Sequence, residues 1–180
     1  AWTAPMDHSF SDAMTTATPL GVLSEGTGAA LPSYLDMFLG NTGGCLGETC
    51  AVALMLGGVY LMIRKVISPA IPLSFVGTVA VIMLIKGHGD LDFLVYQLLG
   101  GGLLLGAIFM ATDYSTSPLN TKGRIIFGVG CGLLTSVMRL FTQMPEGVSF
   151  AILLMNVVTP LLDKYIRPRP FGYVKPVKPK

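Results

Sequence analysis

Residues 92–112 read DFLVYQLLGGGLLLGAIFMAT, an almost wholly apolar run with a single carboxylate at its start. An apolar run of this length suits a transmembrane helix, which needs about 20 residues to cross a bilayer. Three consecutive glycines, Gly100 to Gly102, lie inside the run, and Gly106 follows them. Apolar spans interrupted by glycine or proline are typical of membrane helices that break around a site within the bilayer. This stretch therefore predicts a helical membrane protein in which some helices are interrupted.

Four other apolar segments, at about 48–63, 70–86, 124–143 and 147–163, lie on either side of this run. The chain of 180 residues is 52% hydrophobic and only 12% charged, and its mean hydropathy is +0.66. Soluble domains carry about 25% charged residues, so this composition excludes an ordinary soluble domain. The 22 glycines suit helices that pack closely in lipid. We therefore predict an all-α, polytopic membrane bundle with about five transmembrane helices.

Basic residues alternate between successive loops, and this alternation predicts a topology. Residues 1–47 contain no Lys or Arg, whereas Arg64 and Lys65 follow the first apolar segment. The next loop is acidic, the one after it is basic, the fourth has no basic residue and the C-terminal tail is strongly basic. By the positive-inside rule, the N-terminal segment lies outside and the C-terminus lies in the cytoplasm. We expect three parts, namely an outer segment at 1–47, a bundle at 48–165 and a basic tail at 166–180.

A hydroxyl-rich segment, DAMTTATPL at residues 12–20, stands apart from the apolar runs. Its Asp and Thr side chains can hydrogen-bond to nearby backbone, and Pro19 removes a donor, so physical chemistry predicts a loop or a capping turn. The segment also resembles the D-x-x-[ST]-[GS]-A-T motif, in which a flavin transferase attaches FMN to the last Thr through a phosphoester. The motif residues in this chain are Asp12, Thr15, Thr16, Ala17 and Thr18. Thr16 stands where the motif has Gly or Ser.

Further motifs along the chain point to the same family. They are Gly47-Glu48-Thr49, Phe109–Asp113 with Ser117-Pro118, Met138-Arg139, Pro145-Glu146-Gly147 and Thr159–Asp163. Together with the 12–18 segment they resemble the D subunit of the Rnf complex, an ion-translocating ferredoxin:NAD oxidoreductase. More loosely, they resemble the B subunit of the sodium-pumping NADH:quinone oxidoreductase. The resemblance covers the whole chain and corresponds to the C-terminal half of the family, whose fold is a urea-transporter-like repeat.

The resemblance implies an electron-transfer subunit of a redox-driven ion translocase, which is not catalytic alone, in the inner (plasma) membrane of a prokaryote. FMN would be attached covalently to Thr18 in an outer-side flavin-tethering segment, and riboflavin would be bound non-covalently. The implied partners are the bilayer and the other membrane, flavin and iron–sulfur subunits, including an outer-side FMN subunit, with no nucleic acid. The sequence has no Walker loop, GxGxxG motif or iron–sulfur Cys cluster, so other subunits would handle NAD and ferredoxin.

Charged residues near the ends of the apolar segments are the remaining candidates for a site. Arg139 lies about one turn inside the fourth segment, where an Arg needs a partner or must extend to the headgroups. We expect its partner to be the FMN phosphate on Thr18 or the carboxylate of Glu146. Glu48 and Glu146 each precede a helix, where a carboxylate is favoured electrostatically, and Glu48 is also a candidate for an ion path. Asp113 is either a residue of that path or a turn residue at a helix end.

Two other functions fit the same composition. A channel or transporter bundle without a redox cofactor would share the hydropathy, the glycine spacing and the outer Glu residues, and a structural scaffold subunit would share the hydropathy. The 12–18 motif distinguishes these functions, because a channel has no need of it. The cysteines Cys45, Cys50 and Cys131 form no disulfide framework, and we expect them to be small buried residues with no metal. The sequence does not distinguish Na⁺ from H⁺ as the translocated ion.

Overall fold

The computed structural model describes residue 20 and the ranges 33–40, 47, 49–142 and 147–166. Every regular element in these ranges is helical. In chain order the elements are α1 (Tyr34–Leu39), α2 (Ala51–Ile63), α3 (Ala70–Lys86), α4 (Leu91–Leu99), α5 (Leu103–Leu105) with the π-helical segment Gly106–Met110 that continues it, α6 (Thr121–Phe141) and α7 (Val148–Tyr165). The predicted apolar segments coincide with α2, α3, α6 and α7 to within one helical turn, and the run at 92–112 is divided between α4 and α5.

Helix length separates the elements into two groups. In the described part of the chain, α6 and α7 are long and apolar enough to cross a membrane, and α4 with α5 adds a third span if the bent pair counts as one. The apolar helices α2 and α3 are shorter, at 13 and 17 residues. The prediction of an all-α, polytopic bundle is confirmed. The five predicted spans correspond to α6 and α7, which have full length, to the bent pair α4 and α5, and to the shorter helices α2 and α3.

Polar loops and helix ends collect at two ends of the bundle. Arg124 lies in the first turn of α6 and Arg139 in its last, so about 22 Å separates them along the helix axis. We call these the Arg124 end and the Arg139 end. At the Arg124 end, the Tyr114 hydroxyl donates to a carbonyl of the α2–α3 loop at 2.6 Å. The Leu119 N–H donates to the Asp163 carboxylate at 3.2 Å, which joins the loop before α6 to the end of α7.

The closest helix pair is formed by α3 and α6. A Cβ on Gly128 would overlap the Ser74 hydroxyl, and one on Gly132 would lie 2.7 Å from Thr78 Cβ. Ser74 and Thr78 donate their hydroxyl protons to carbonyls one turn earlier in α3, each at 2.7 Å. Small residues four apart on both helices therefore let the two backbones approach closely, as in other membrane helix pairs.

The buried core lies between α3, α6 and the second half of the broken helix. Its fully buried side chains include Phe75, Val79, Met83, Leu103, Ala107, Phe127 and Cys131. Large apolar side chains also cover the outside of the bundle, with Leu73 69% exposed and Val157 71% exposed. A bilayer solvates such a surface, whereas water would not, so the burial pattern agrees with a membrane-embedded protein. The burial of Cys131 confirms the role expected for it, whereas Cys50 is only partly buried. Cys45 lies outside the described residues.

Candidate functional site

The three glycines inside the apolar run interrupt the helix. Gly101 and Gly102 have φ values of 66° and 64°, in the left-handed region that favours glycine. The axes of the two halves, α4 and the helix from Leu103 to Met110, differ by 60°. The prediction of an interrupted helix is therefore confirmed for this span. We call Gly100 to Gly102 the glycine break.

Arg139 donates hydrogen bonds into the glycine break from the last turn of α6. Its Nη1 lies 2.5 Å from the backbone oxygen of Gln97 and 3.1 Å from the Gln97 side-chain Oε1. Its Nη2 donates to the carbonyls of Gly100 at 3.1 Å and Gly101 at 3.3 Å. The last carbonyls of a helix have no N–H donor from a following turn, and inside a membrane no water takes the place of that donor. The guanidinium supplies the missing donors.

Burial shows that Arg139 is part of the interior. Its side chain is 9% exposed and that of Gln97 is 7% exposed. A buried cation is costly unless it is well hydrogen-bonded, and a cation is favoured beside the C-terminal end of a helix. Arg139 therefore turns inward to the end of α4 and does not extend to the headgroups. Its predicted partners, Thr18 with its FMN and Glu146, lie outside the described residues, so that pairing stays a prediction.

Leu20, the last residue of the hydroxyl-rich segment, lies at the same place. Leu20 is 2% exposed, and its Cγ lies 3.1 Å from the position that a Cβ on Gly100 would take. Burial of a leucine contributes about 1.5–3 kcal/mol, so this contact is a firm anchor. The motif residues Asp12, Thr15, Thr16, Ala17 and Thr18 lie outside the described residues, as does Glu48. The first described residue after the motif thus packs on the glycine break.

A pair of tyrosines lies beside α4. The rings of Tyr34, in α1, and Tyr96, in α4, have centroids 5.1 Å apart and planes inclined at 38°. A hydrogen bond between Tyr34 and the Asp92 carboxylate raises the pKa of Tyr34 to about 12. The ring contact links α1 to α4. Aromatic residues of this kind are common at membrane–water boundaries.

Buried hydroxyls lie next to Arg139 on α6. Thr135 and Ser136 are both fully buried, and Ser136 donates to the Gly132 carbonyl at 2.8 Å. Among the described residues, the Thr135 hydroxyl has no hydrogen-bond partner. Thr135 is four residues before Arg139 and therefore shares its helix face. The sequence analysis missed this polar face, although its spacing of three and four residues was visible in the sequence.

Asp113 lies away from the glycine break. It is exposed at the Arg124 end, where its carbonyl accepts from the Ser117 N–H at 3.0 Å and its carboxylate lies 3.5 Å from the Thr116 hydroxyl. This geometry agrees with the prediction that Asp113 is a turn residue at a helix end. Asp113 and Arg139 are thus at opposite ends of the bundle, and a role for Asp113 in an ion path stays a prediction.

Comparison with known proteins places this architecture in a family. The chain matches the NQR2, RnfD, RnfE family over residues 1–172. It is 45% identical to the D subunit of the Na(+)-translocating ferredoxin:NAD(+) oxidoreductase complex of Acetobacterium woodii, over 92% of this chain and 52% of that protein. It is 46% identical to the D subunit of the proton-translocating ferredoxin:NAD(+) oxidoreductase complex of Clostridium ljungdahlii, over 89% of this chain and 52% of that protein.

A third relative is the D subunit of the ion-translocating oxidoreductase complex of Stutzerimonas stutzeri, which is 43% identical over 78% of this chain and 40% of that protein. The chain therefore spans about half the length of the curated relatives it matches. The family match extends over nearly all of this chain, so it includes the interrupted, all-helical membrane bundle described above. On this evidence the chain belongs to the NQR2, RnfD, RnfE family.

Proposed function

We propose that this chain is part of a membrane electron-transfer subunit of an ion-translocating ferredoxin:NAD oxidoreductase (Rnf) complex, with FMN attached covalently to Thr18. The relatives named above are subunits of such complexes. The D-x-x-T-T-A-T sequence at residues 12–18 supplies the hydroxyl for the attachment. When bound, the flavin supplies the redox chemistry, and the protein sets its position and environment.

The observation that carries this proposal is the contact between Leu20 and Gly100. Leu20 follows Thr18 by two residues, and two residues of extended chain span about 7 Å at most. A group attached at Thr18 is therefore tethered next to a leucine that packs on the glycine break. Aromatic surface that suits a flavin lies nearby, because Tyr96 is one turn before Gly100 in α4 and its ring pairs with that of Tyr34 in α1.

Arg139 has a positioning role in this proposal. Its Nη2 donates to the carbonyls of Gly100 and Gly101, and its Nη1 donates to Gln97. It therefore holds the surface on which Leu20 packs, and its charge favours a phosphoester nearby. Glu146, seven residues further along the chain, is proposed as its carboxylate partner at the same end of the bundle.

The remaining parts of the proposal follow the family resemblance. Riboflavin is proposed as a second, non-covalent cofactor, and Glu48 and Asp113 as residues of the ion path. The Arg139 end would face outward and the Arg124 end the cytoplasm of a prokaryotic inner membrane, as the loop charges predict. The proposed partners are the other membrane, flavin and iron–sulfur subunits, including an outer-side FMN subunit.

A second candidate function is a transporter or channel without a redox cofactor. The glycine break and the unpartnered Thr135 hydroxyl in the described part of the bundle favour it. Interrupted helices with buried polar groups also build substrate sites in transporters. This candidate has no use for the motif at residues 12–18, which is why we rank it second.

The test is the intact mass of the denatured, full-length subunit, purified from cells that express the flavin transferase. We expect the mass to exceed that of the polypeptide by FMN minus water, and we expect Thr18→Ala to lose this increment. Thr27→Ala is the matched control, because it removes a hydroxyl that lies outside the motif in the same N-terminal part of the chain and should keep the flavin. An unmodified wild-type subunit would refute the proposal and favour the transporter.

A further inference from the structure

A small polar cavity lies at the Arg124 end of the bundle, remote from the glycine break. Its volume is about 30 Å³, and a single buried water needs about 10–15 Å³ on this measure, so the cavity has room for about two oxygen-sized groups. Three parts of the chain line it: the α2–α3 loop, the segment between Met110 and Thr121, and the first turn of α6. The polar side chains in its wall are Ser68, Thr112, Tyr114, Ser117 and Arg124.

Arg124 is oriented by the loop that precedes α6. Its Nε donates to the Pro118 carbonyl at 3.0 Å. Pro118 is itself fully buried, and a Cβ on Gly123 would lie 3.0 Å from the Pro118 Cβ. Within the described ranges, neither a hydrogen bond nor a carboxylate engages the terminal nitrogens Nη1 and Nη2 of Arg124. The guanidinium is thus held in place, and the N–H groups of both terminal nitrogens remain available to a ligand.

Hydroxyl groups add further donors to the cavity. The Ser68 Oγ accepts from the Ala70 N–H at 3.4 Å, which leaves its own proton available. The Ser117 hydroxyl has no hydrogen bond to any residue that the structure describes. The Tyr114 hydroxyl donates to the Val66 carbonyl at 2.6 Å and so fixes one wall of the cavity. A forked guanidinium beside two hydroxyls matches an anion with several oxygens, such as phosphate.

The charges around the cavity also favour an anion. Arg64, Lys65 and Lys122 are exposed at the same end of the bundle. Of the described carboxylates there, Asp113 lies 3.5 Å from the Thr116 hydroxyl of its own turn, and Asp163 accepts from the Leu119 N–H of the loop before α6. Apolar side chains flank these polar residues, with Ile63 73% exposed and Ile125 45% exposed. The site thus combines donors for an anion with apolar surface that suits acyl chains.

We propose that this cavity receives two oxygens of the phosphate group of an anionic ligand, whose remaining atoms lie outside the cavity. The ligand is either an anionic phospholipid, bound by its headgroup, or a soluble phosphate compound. Arg124 binds the phosphate oxygens through Nη1 and Nη2, and the Ser68 and Ser117 hydroxyls complete the site. Basic pockets between transmembrane helices commonly bind lipid headgroups in this way. The proposal is independent of flavin attachment, because the site lies at the opposite end of α6 from the glycine break.

The test measures binding of phosphatidylglycerol to the delipidated, full-length subunit by native mass spectrometry, with phosphatidylcholine and inorganic phosphate as the other probes. Arg124→Gln should weaken phosphatidylglycerol binding by at least about tenfold, since it removes charge-assisted hydrogen bonds. Lys122→Gln is the matched control, because it removes one positive charge from the same end but does not line the cavity. It should change binding by less than about twofold.

The probes distinguish the two sources of phosphate. A preference for phosphatidylglycerol over phosphatidylcholine that depends on Arg124 identifies a lipid headgroup. Binding of inorganic phosphate that depends on Arg124, without a lipid preference, identifies a soluble ligand. The proposal is overturned if no probe depends on Arg124, or if Lys122→Gln has an equal effect. Should Arg124→Gln fail to fold, Ser117→Ala decides: about threefold weaker binding supports the site, and unchanged binding overturns it.

Discussion

Replacing Arg139 by Gln should destabilise the protein more than any other single charge removal among the described residues of α6. The guanidinium donates to three backbone carbonyls, those of Gln97, Gly100 and Gly101, and to the Gln97 side chain. Each buried carbonyl left without a donor costs about 1–3 kcal/mol. Three such carbonyls correspond to about 3–9 kcal/mol, and we expect the lower part of this range, about 3–5 kcal/mol, because a Gln amide still carries N–H donors.

Thermal unfolding of the full-length protein in detergent measures this loss. At about 2–4 °C per kcal/mol, the midpoint should fall by roughly 6–20 °C. Arg139→Lys should recover only part of the stability, because a single ammonium does not reproduce the fork that spans Gln97, Gly100 and Gly101. Lys122→Gln, on the exposed surface of the same helix, is the control and should change the free energy of unfolding by less than about 0.5 kcal/mol.

The comparison between Arg139→Gln and its control decides whether the reasoning is correct. A loss for Arg139→Gln no larger than that for Lys122→Gln would mean that the carbonyls of the glycine break do not depend on the guanidinium. Full recovery by Arg139→Lys would show that charge alone matters and that the forked hydrogen bonding does not. Either result would remove the structural role assigned to Arg139.

Two further predictions concern packing and pH. Gly128→Ala should destabilise the protein by about 1–3 kcal/mol in the same thermal assay, because its Cβ would overlap the Ser74 hydroxyl. Gly77→Ala is the control, since a Cβ there meets nothing within 4 Å in the described structure, and it should be neutral or stabilising by up to about 1 kcal/mol. Tyr34 should titrate near pH 12, above the ordinary value of 10.0, so its contribution to stability is complete below pH 10.0 and is lost as pH rises through about 12. Ultraviolet absorbance of tyrosinate measures this titration, and an unchanged curve in Asp92→Asn would contradict the proposed hydrogen bond.

Several elements of the fold were predictable from short stretches of sequence. The apolar segments at 70–86 and 147–163 correspond to α3 and α7 because helices in lipid must satisfy their own backbone hydrogen bonds. The interruption at Gly100–Gly102 was predictable because glycine alone adopts left-handed φ values without strain. The bend of 60° was not, since its size depends on the helices that pack against both halves.

The roles of Arg139 and Leu20 show what the sequence analysis missed. Gln97 binds Arg139 across 42 residues of chain, and no local pattern indicates such a pairing. Leu20 had no role in the sequence analysis because an isolated leucine carries no periodic signal. The first contact holds the end of α4 at the glycine break, and the second packs Leu20 on Gly100.

The amino-acid sequence was sufficient to predict the helical membrane class, the positions of the apolar helices, the family and the motif at residues 12–18. These properties depend on composition and on short-range hydrogen bonding, and both are the same for a segment whatever packs against it. The approach of the last turn of α6 to the end of α4, by contrast, determined that Arg139 turns inward. The α2–α3 loop and the segment before α6 placed two serine hydroxyls beside Arg124. The partner of a buried polar group is set by contacts between segments far apart in the chain, and those contacts exist only once the helices have assembled.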